Sequence, residues 1–329
     1  MNAVMQRLWA PLPRARLAGV RILVGLFVLG YISYRLPLLR HMARQDPDIF
    51  APVGPLAWLL GAPLRPALVD ALIAATLGLA LLFAAGILYR LVAPLLAVAV
   101  LAVTCYRSSW GMLFHSENLL FLHLCVLALA PAAEVWSLDA WRRSRRDRRA
   151  AATTSASGSA TSTTSPVDPD GAAHGFTLRL LAALTMATYF MAGVAKLRNA
   201  GWGWVTGDLL RGHIAFDNLR KAELGAPFSS LGGLLLRHAW LFTPLAAFAV
   251  VIEVGAPLTL LHRNAARVWA LAALGFHWGI VVLMRIPFHY PLSGVAFAGL
   301  FPLERLPDLV RRLRPRSRAP DSPARPAPG

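Results

Sequence analysis

The stretch YFMAGVAKLRNAGWGWVTGD, residues 189–208, decides how the chain is organised. An apolar run ends at Lys196, and a turn rich in glycine and tryptophan follows at once. A lysine at the end of a membrane-spanning helix needs a reason, because a charged side chain is costly in hydrocarbon. In one interpretation the Lys196 stem snorkels to water, and Trp202 and Trp204 form an interface belt. In the other, partial burial disfavours the ammonium form and Lys196 transfers protons.

The composition indicates a membrane protein rather than a soluble domain. Of the 329 residues, 57% are hydrophobic and 15% are charged, and the mean hydropathy is +0.54. Soluble domains carry about 25% charged residues. We therefore predict an all-α fold, a polytopic transmembrane helical bundle.

The net charge of +17 is also explained by the topology of a membrane protein. A basic chain often binds nucleic acid. Here the arginines stand in short loops and tails between apolar runs, where they set the orientation of the spans. We expect no nucleic-acid partner.

The apolar runs predict about eight spans joined by polar loops. They cover residues 18–39, 66–88, 91–106, 119–136, 176–196, 238–261, 266–284 and the shorter 292–303.

The chain divides into two membrane halves and two polar segments. Residues 1–149 form the first half with spans one to four, and 150–175, rich in Ser, Thr, Ala and Gly, form a disordered cytoplasmic linker. Residues 176–304 form the second half, with spans five to eight and an extracytoplasmic Trp-rich cap. Residues 305–329 form a disordered basic tail.

The arginines also predict the orientation of the bundle. With both termini in the cytoplasm, Arg90, the run at 142–149 and Arg263 all fall inside, as the positive-inside rule requires. The expected location is the inner (plasma) membrane. Lys196 and the tryptophan turn then lie at the outer face.

Four ionisable residues fall within or near spans without being obvious anchors: His123, Lys196, Glu253 and His277. Intramembrane ionisable groups usually face the bundle interior and have a function. Glu253 and His277 reach similar depth on adjacent antiparallel helices, which predicts a hydrogen bond between them. That bond serves either as interhelical glue or in function.

The connection before the fourth span carries further candidates. His115 and Asn118 share a face if this stretch is helical, and His123 can align with His115. The alternative is a solvated loop. No carboxylate or cysteine stands at a metal-ligand spacing from these histidines, so we predict no metal site.

Residues 189–197 and 204–207 carry a resemblance to a known family, and residues 117–122 and 276–278 add weaker matches. The chain resembles the membrane part of the vitamin K-dependent gamma-carboxylases, which share the HTTM (horizontally transferred transmembrane) domain. The likeness extends over roughly residues 14–303.

The resemblance implies a carboxylase-like carbon–carbon lyase that uses a reduced quinone similar to vitamin K. In that chemistry Lys196 is the base toward the quinone, a stronger base made by oxygenation takes a proton from a substrate glutamate, and CO2 adds. His277 would orient groups or stabilise developing charge. The implied partners are a quinone, a secreted peptide and membrane lipid. We assign substrate contacts to His115, Asn118, His123, Trp202, Trp204 and Glu253.

The chain also departs from the family. The carboxylase has a large lumenal region after its membrane part, where we expect only a short Arg/Pro tail, and Asn118 stands where the family often has histidine. A second hypothesis is therefore a non-catalytic membrane component that binds a lipid or quinone or assists a secreted peptide. A transporter would require inverted repeats, and the two halves show no convincing one.

Overall fold

A computed structural model describes Gln6 and residues 8–113, 116–156, 171–206 and 208–313, and these are helical with no β-strand among them. The α-helices are α1 (Arg14–Met42), α2 (Leu56–Leu59), α3 (Pro66–Ala85), α4 (Tyr89–Ser108), α5 (Asn118–Leu129), α6 (Leu138–Ala156), α7 (Gly171–Ala200), α8 (Asp208–Glu223), α9 (Ser230–Leu235), α10 (Phe242–Val254), α11 (Arg263–Met284), α12 (His289–Leu292) and α13 (Leu306–Leu313). Short 3-10 turns lie at Pro47–Ile49, Gly201–Trp204, Ala239–Leu241, Ala256–Leu261, Val295–Leu300 and Leu303–Arg305.

Five helices are long and apolar enough to cross a membrane, which confirms the all-α class and supports a membrane protein. They are α1, α3, α4, α7 continued through its 3-10 turn, and α11. The predicted count of about eight spans is not confirmed, because the runs at 119–136, 238–261 and 292–303 do not form single long helices.

Local sequence explains why these three runs break. Pro131 follows the end of α5, which at 12 residues is roughly 18 Å long. Gly255 and Pro257 convert the end of α10 into a 3-10 turn, so that the helix stops at Val254. The short helix α12 ends at its C-cap Ser293, and the next residue, Gly294, has a φ of +77° that an α-helix does not allow.

The predicted linker at 150–175 and the predicted tail at 305–329 are corrected at their edges. Helix α6 continues to Ala156 and α7 begins at Gly171, so the linker is helical at both ends. Helix α13 occupies the start of the tail. The alanines at 150–152 and the arginines of α13 favour helix, whereas Thr153, Gly171 and Gly175 do not, so helix propensity accounts for only part of these extensions. Residues 157–170 and 314–329 lie outside the described residues.

Helix α1 forms the axis of the larger core. Val24 is fully buried there against α3, α4 and α5, which contribute Phe83, Leu96 and Leu124. A second core surrounds Trp269 of α11. Large apolar side chains remain exposed on the outer helix faces, as expected where lipid is the neighbour: Leu81, Leu95, Val98, Val268 and Leu271.

A buried arginine holds together the irregular segment after α5. The Arg21 guanidinium donates to the carbonyl oxygens of Ala132 at 3.3 Å, Ala84 at 3.3 Å and Trp136 at 2.5 Å. Gly86 lies against it with φ of +65°, and a Cβ there would stand 2.5 Å from Arg21 Nη1. The guanidinium therefore satisfies carbonyl groups that no helix pairs.

Arginines from several helix ends lie together at one end of the bundle, which we call the basic end; they include Arg16, Arg90, Arg142, Arg179 and Arg263. The Leu12 amide donates to the Gly171 carbonyl at 3.0 Å, which joins the approach to α1 with the start of α7. Arg16 makes a two-point contact with Glu304, at 2.6 and 2.9 Å. These hydrogen bonds from Arg16 hold the pKa of Glu304 below its ordinary value.

Helices α8 and α9 cover the opposite end of α11. Asn218 donates to the Leu283 carbonyl at 2.9 Å, Ser229 to Val282 at 2.5 Å, and Lys221 to Met284 at 2.5 Å. The last carbonyls of α11 are thus capped by side chains. These helices occupy the segment predicted as a cap, and its extracytoplasmic position remains a prediction.

Candidate functional site

Four of the predicted site residues lie together: Lys196, Trp204, Glu253 and His277. Lys196 Nζ forms a direct ion pair with Glu253 Oε1, which joins α7 to α10. The Lys196 side chain is 23% exposed and that of Glu253 is 4% exposed, so one partner reaches the surface and the other is enclosed. Lys196 therefore does not extend freely into solvent or headgroups.

Helix geometry and one glycine bring these groups together. Tyr189 and Lys196 are seven residues apart on α7 and so lie on one face. Gly193, between them, packs directly on α10, where a Cβ would lie 2.9 Å from Glu253 Cβ and 2.8 Å from Val254 Cγ2. The absence of a side chain at this position allows the two helices to approach.

Replacing Gly193 by alanine is expected to lower the free energy of unfolding by about 1–3 kcal/mol, because the added methyl group overpacks the contact with Glu253. The measurement is thermal or denaturant unfolding in detergent. Gly275→Ala is the matched control, since Gly275 is an exposed position on α11 with open space around it. Equal stability of Gly193→Ala and Gly275→Ala would contradict the close approach.

The predicted hydrogen bond between Glu253 and His277 is wrong. His277 Nε2 shares a hydrogen bond with the Tyr189 hydroxyl at 2.6 Å, and Glu253 pairs with Lys196. The prediction assumed one regular helix over residues 238–261. Because α10 ends at Val254, Glu253 falls in its last turn, against which Gly193 of α7 packs. The groups still form one cluster, because Tyr189 joins His277 to the face of α7 that carries Lys196 and the ring of Phe276, next to His277, lies 6.0 Å from Nζ.

Aromatic rings surround the ammonium of Lys196. The Trp204 ring centroid is 5.3 Å from Nζ and that of Phe276 is 6.0 Å away, both within cation–π range. Trp202 differs from Trp204, because it is 81% exposed. Of the two predicted tryptophans, the structure thus brings Trp204 to Lys196.

Three buried polar atoms of this cluster have no hydrogen-bond partner in the described part of the chain. They are Glu253 Oε2, His277 Nδ1 and Trp204 Nε1. Buried polar groups in folded proteins are nearly always paired, so each such atom calls for an explanation. Glu253 Oε2 can accept a hydrogen bond, Trp204 Nε1 can donate one, and His277 Nδ1 can do either. This set of groups around one amine suits a small ligand with hydroxyl or carbonyl groups.

The other predicted residues lie elsewhere. His123 is buried, with Nδ1 at 2.7 Å from the Tyr290 hydroxyl and Nε2 at 3.1 Å from both the Leu181 carbonyl oxygen and Thr185 Oγ1. Both ring nitrogens therefore have hydrogen-bond partners, as is typical of a polar residue that joins neighbouring helices structurally. Asn118 is exposed at the first turn of α5. His115 lies outside the described residues.

A second charged cluster was missed by the sequence interpretation. Arg107 Nη1 lies 2.6 Å from Glu117 Oε1, both side chains are buried, and the Tyr31 hydroxyl and Ser116 also donate to Glu117. Burial raises the pKa of Glu117, but these hydrogen bonds and the Arg107 charge outweigh it, so the net pKa is lowered. The available signal was an arginine ending one span and a glutamate opening the next.

A dipeptide connects the two clusters. The Phe288 ring lies 5.4 Å from the His277 ring, and the ring of the adjacent His289 lies 5.3 Å from Tyr31. Burial lowers the pKa of His289, and the Arg35 charge lowers it further. Tyr189, also missed as a site residue, was signalled by its position two turns before Lys196.

No group of three or more His, Cys, Asp or Glu side chains that would hold a metal ion occurs among the described residues. Comparisons of the chain with protein-family models, with curated proteins and with solved structures found no match.

Proposed function

We propose that the chain is a multi-pass membrane enzyme of the HTTM, gamma-carboxylase-like type, in which Lys196 and Glu253 act together as the base toward a reduced quinone. The observation that supports this most is the partly buried Lys196–Glu253 pair, with three unpartnered polar atoms and two aromatic rings around it. Perturbed and unsatisfied groups of this kind concentrate at functional sites.

The ion pair determines how Lys196 acts. An ammonium has no lone pair and accepts no proton. Because Glu253 Oε1 contacts Nζ directly, the proton has a short path to the carboxylate, and its transfer leaves a neutral amine beside a neutral acid. Low polarity penalises the charged pair and favours this exchange. Lys196 then takes a proton at Nζ, and Glu253 releases one before the next turnover.

The residues around Lys196 fit a reduced quinone. Trp204 and Phe276 offer aromatic faces, while Trp204 Nε1 and His277 Nδ1 offer polar contacts for ring oxygens. When bound, such a quinol supplies an acidic hydroxyl and the electrons for reaction with oxygen. Tyr189 holds the His277 ring through its Nε2.

A membrane orientation is part of the proposed function. We place the basic end in the cytoplasm, and the Lys196 end outside, where a secreted peptide carrying glutamate would reach it. Helix α5, helix α10 and the segment after α12 then make short crossings that complete about eight spans. In this arrangement the cap of α8 and α9 lies on the substrate side.

The test uses purified full-length protein in nanodiscs, with a reduced prenylated naphthoquinone, oxygen, a glutamate-rich peptide and labelled bicarbonate. Wild type is expected to bind the quinone, measured by quenching of tryptophan fluorescence, and to fix label in the peptide. Lys196→Ala is expected to lose at least about 100-fold of the labelling. Label fixed equally by both proteins would overturn the role of Lys196, and absence of quinone binding would overturn the ligand.

The ion pair itself supports a second candidate, the non-catalytic membrane component. A salt bridge that joins α7 to α10 is equally suited to a scaffold that holds a lipid or quinone. That protein would bind quinone without fixing label, and its binding would survive exchange of Lys196 for arginine.

A further inference from the structure

Four arginines converge on a single cleft of about 340 Å³ at the basic end of the bundle. We call it the arginine cleft; its charged residues are Arg16, Arg179, Arg263 and Arg267. It involves the starts of α1, α7 and α11 and is separate from Lys196, so a ligand bound here is independent of the proposed function.

The positive charge of the arginine cleft is largely uncompensated. Arg16 is neutralised by Glu304, at 2.6 Å. Arg179 donates to the Ala10 carbonyl at 2.7 Å and Arg267 to the Leu300 carbonyl at 3.1 Å, and such neutral acceptors orient a guanidinium without removing its charge. No carboxylate is present among the described residues that line the cleft. Arg16 and Arg263 are near enough for their like charges to act on Arg179.

Apart from Thr259 and His262, the rest of the cleft wall is apolar. Leu178, Ala183, Leu260 and Leu300 line it, and 46% of Leu260 is exposed. A free inorganic anion would satisfy the arginines and leave this apolar wall in contact with water. A molecule with an anionic head and hydrocarbon chains would satisfy both parts.

We infer that the arginine cleft binds an anionic phospholipid, with its phosphate on Arg179, Arg263 and Arg267 and an acyl chain along Ala183 and Leu260. Guanidinium groups match phosphate oxygens in geometry and charge. Basic pockets between membrane helices, at the level of the headgroups, are suited to this class of ligand.

The test measures thermal unfolding of the full chain in a neutral maltoside detergent while a lipid is titrated in. Phosphatidylglycerol is expected to raise the unfolding temperature in a saturable way, whereas phosphatidylcholine with the same acyl chains and inorganic phosphate are expected to have little effect. Arg263→Gln/Arg267→Gln is expected to weaken the apparent affinity for phosphatidylglycerol about 30-fold, since each arginine near an anionic headgroup contributes about fivefold to the affinity.

Two further variants separate the site from general electrostatics and from misfolding. Arg145→Gln/Arg148→Gln removes the same charge from exposed positions on α6 that do not line the arginine cleft, and the affinity is expected to stay unchanged. Ala183→Trp fills the apolar wall without changing charge and is expected to weaken lipid binding. Equal effects of phosphatidylglycerol and phosphate, or equal losses in both arginine doubles, would overturn the inference.

Discussion

Replacing Lys196 by arginine is expected to lower quinone-dependent labelling of the peptide by at least about 100-fold while the protein remains folded. Arginine preserves the positive charge and the contact with Glu253, but its guanidinium stays protonated and accepts no proton. The proton exchange inside the ion pair is therefore abolished while the interhelical salt bridge is kept. Labelled bicarbonate fixation gives the activity, and thermal unfolding gives the stability.

The chain provides a matched control for this exchange. Lys221 is also half-buried and pairs with a carboxylate, Asp217, at 2.7 Å, but it caps the end of α11 away from the cluster. Lys221→Arg is expected to retain wild-type labelling. Full activity in Lys196→Arg would rule out a neutral amine at this position as the base.

Breaking the buried pair between Arg107 and Glu117 is expected to destabilise the fold by about 3–5 kcal/mol, because one charge is then left enclosed without its partner. Arg107→Ala is the variant, and unfolding in detergent is the measurement. Arg40→Ala is its matched control: Arg40 pairs with Asp70 at 2.7 Å, but the two side chains are 50% and 40% exposed. There the loss should be about 0–1 kcal/mol. Similar losses in the two variants would contradict the buried network.

The same network predicts a pH dependence. Glu117 has a lowered pKa in the folded chain, so its stabilisation is fully present above the ordinary range of a glutamate and is lost as the pH falls through the lowered pKa. Glu117→Gln should therefore show its largest deficit relative to wild type at neutral pH. The deficit should shrink in acid, and a constant difference across the range would count against the role of the carboxylate.

Sequence reasoning identified the neighbourhood of Lys196 but not its partner. Trp204 follows Lys196 by eight residues, so one turn of chain suffices to bring ring and ammonium together. The choice of Glu253 as partner depends instead on where α10 stops and on how closely Gly193 lets it approach. Those features are set by Gly255, Pro257 and tertiary packing, which hydrophobic periodicity does not register.

The fold class was predictable from apolar composition, but composition alone does not show where a helix stops. Long apolar runs identify helices such as α1 and α11 directly. A run such as 119–136 has the right composition, yet Pro131 ends the helix and the chain continues irregularly. The partners of His123, Arg107 and Glu117 were not predictable either, because a polar residue in or beside an apolar run does not reveal which helix it contacts.

The buried guanidinium of Arg21 has a consequence for biogenesis. Its acceptors Ala132 and Trp136 follow it by more than a hundred residues, so the first helix is synthesised well before these two acceptors exist. The segment that supplies them is itself unwound and relies on the same donors. We therefore expect each element to become stable in its final position only after synthesis has delivered the other.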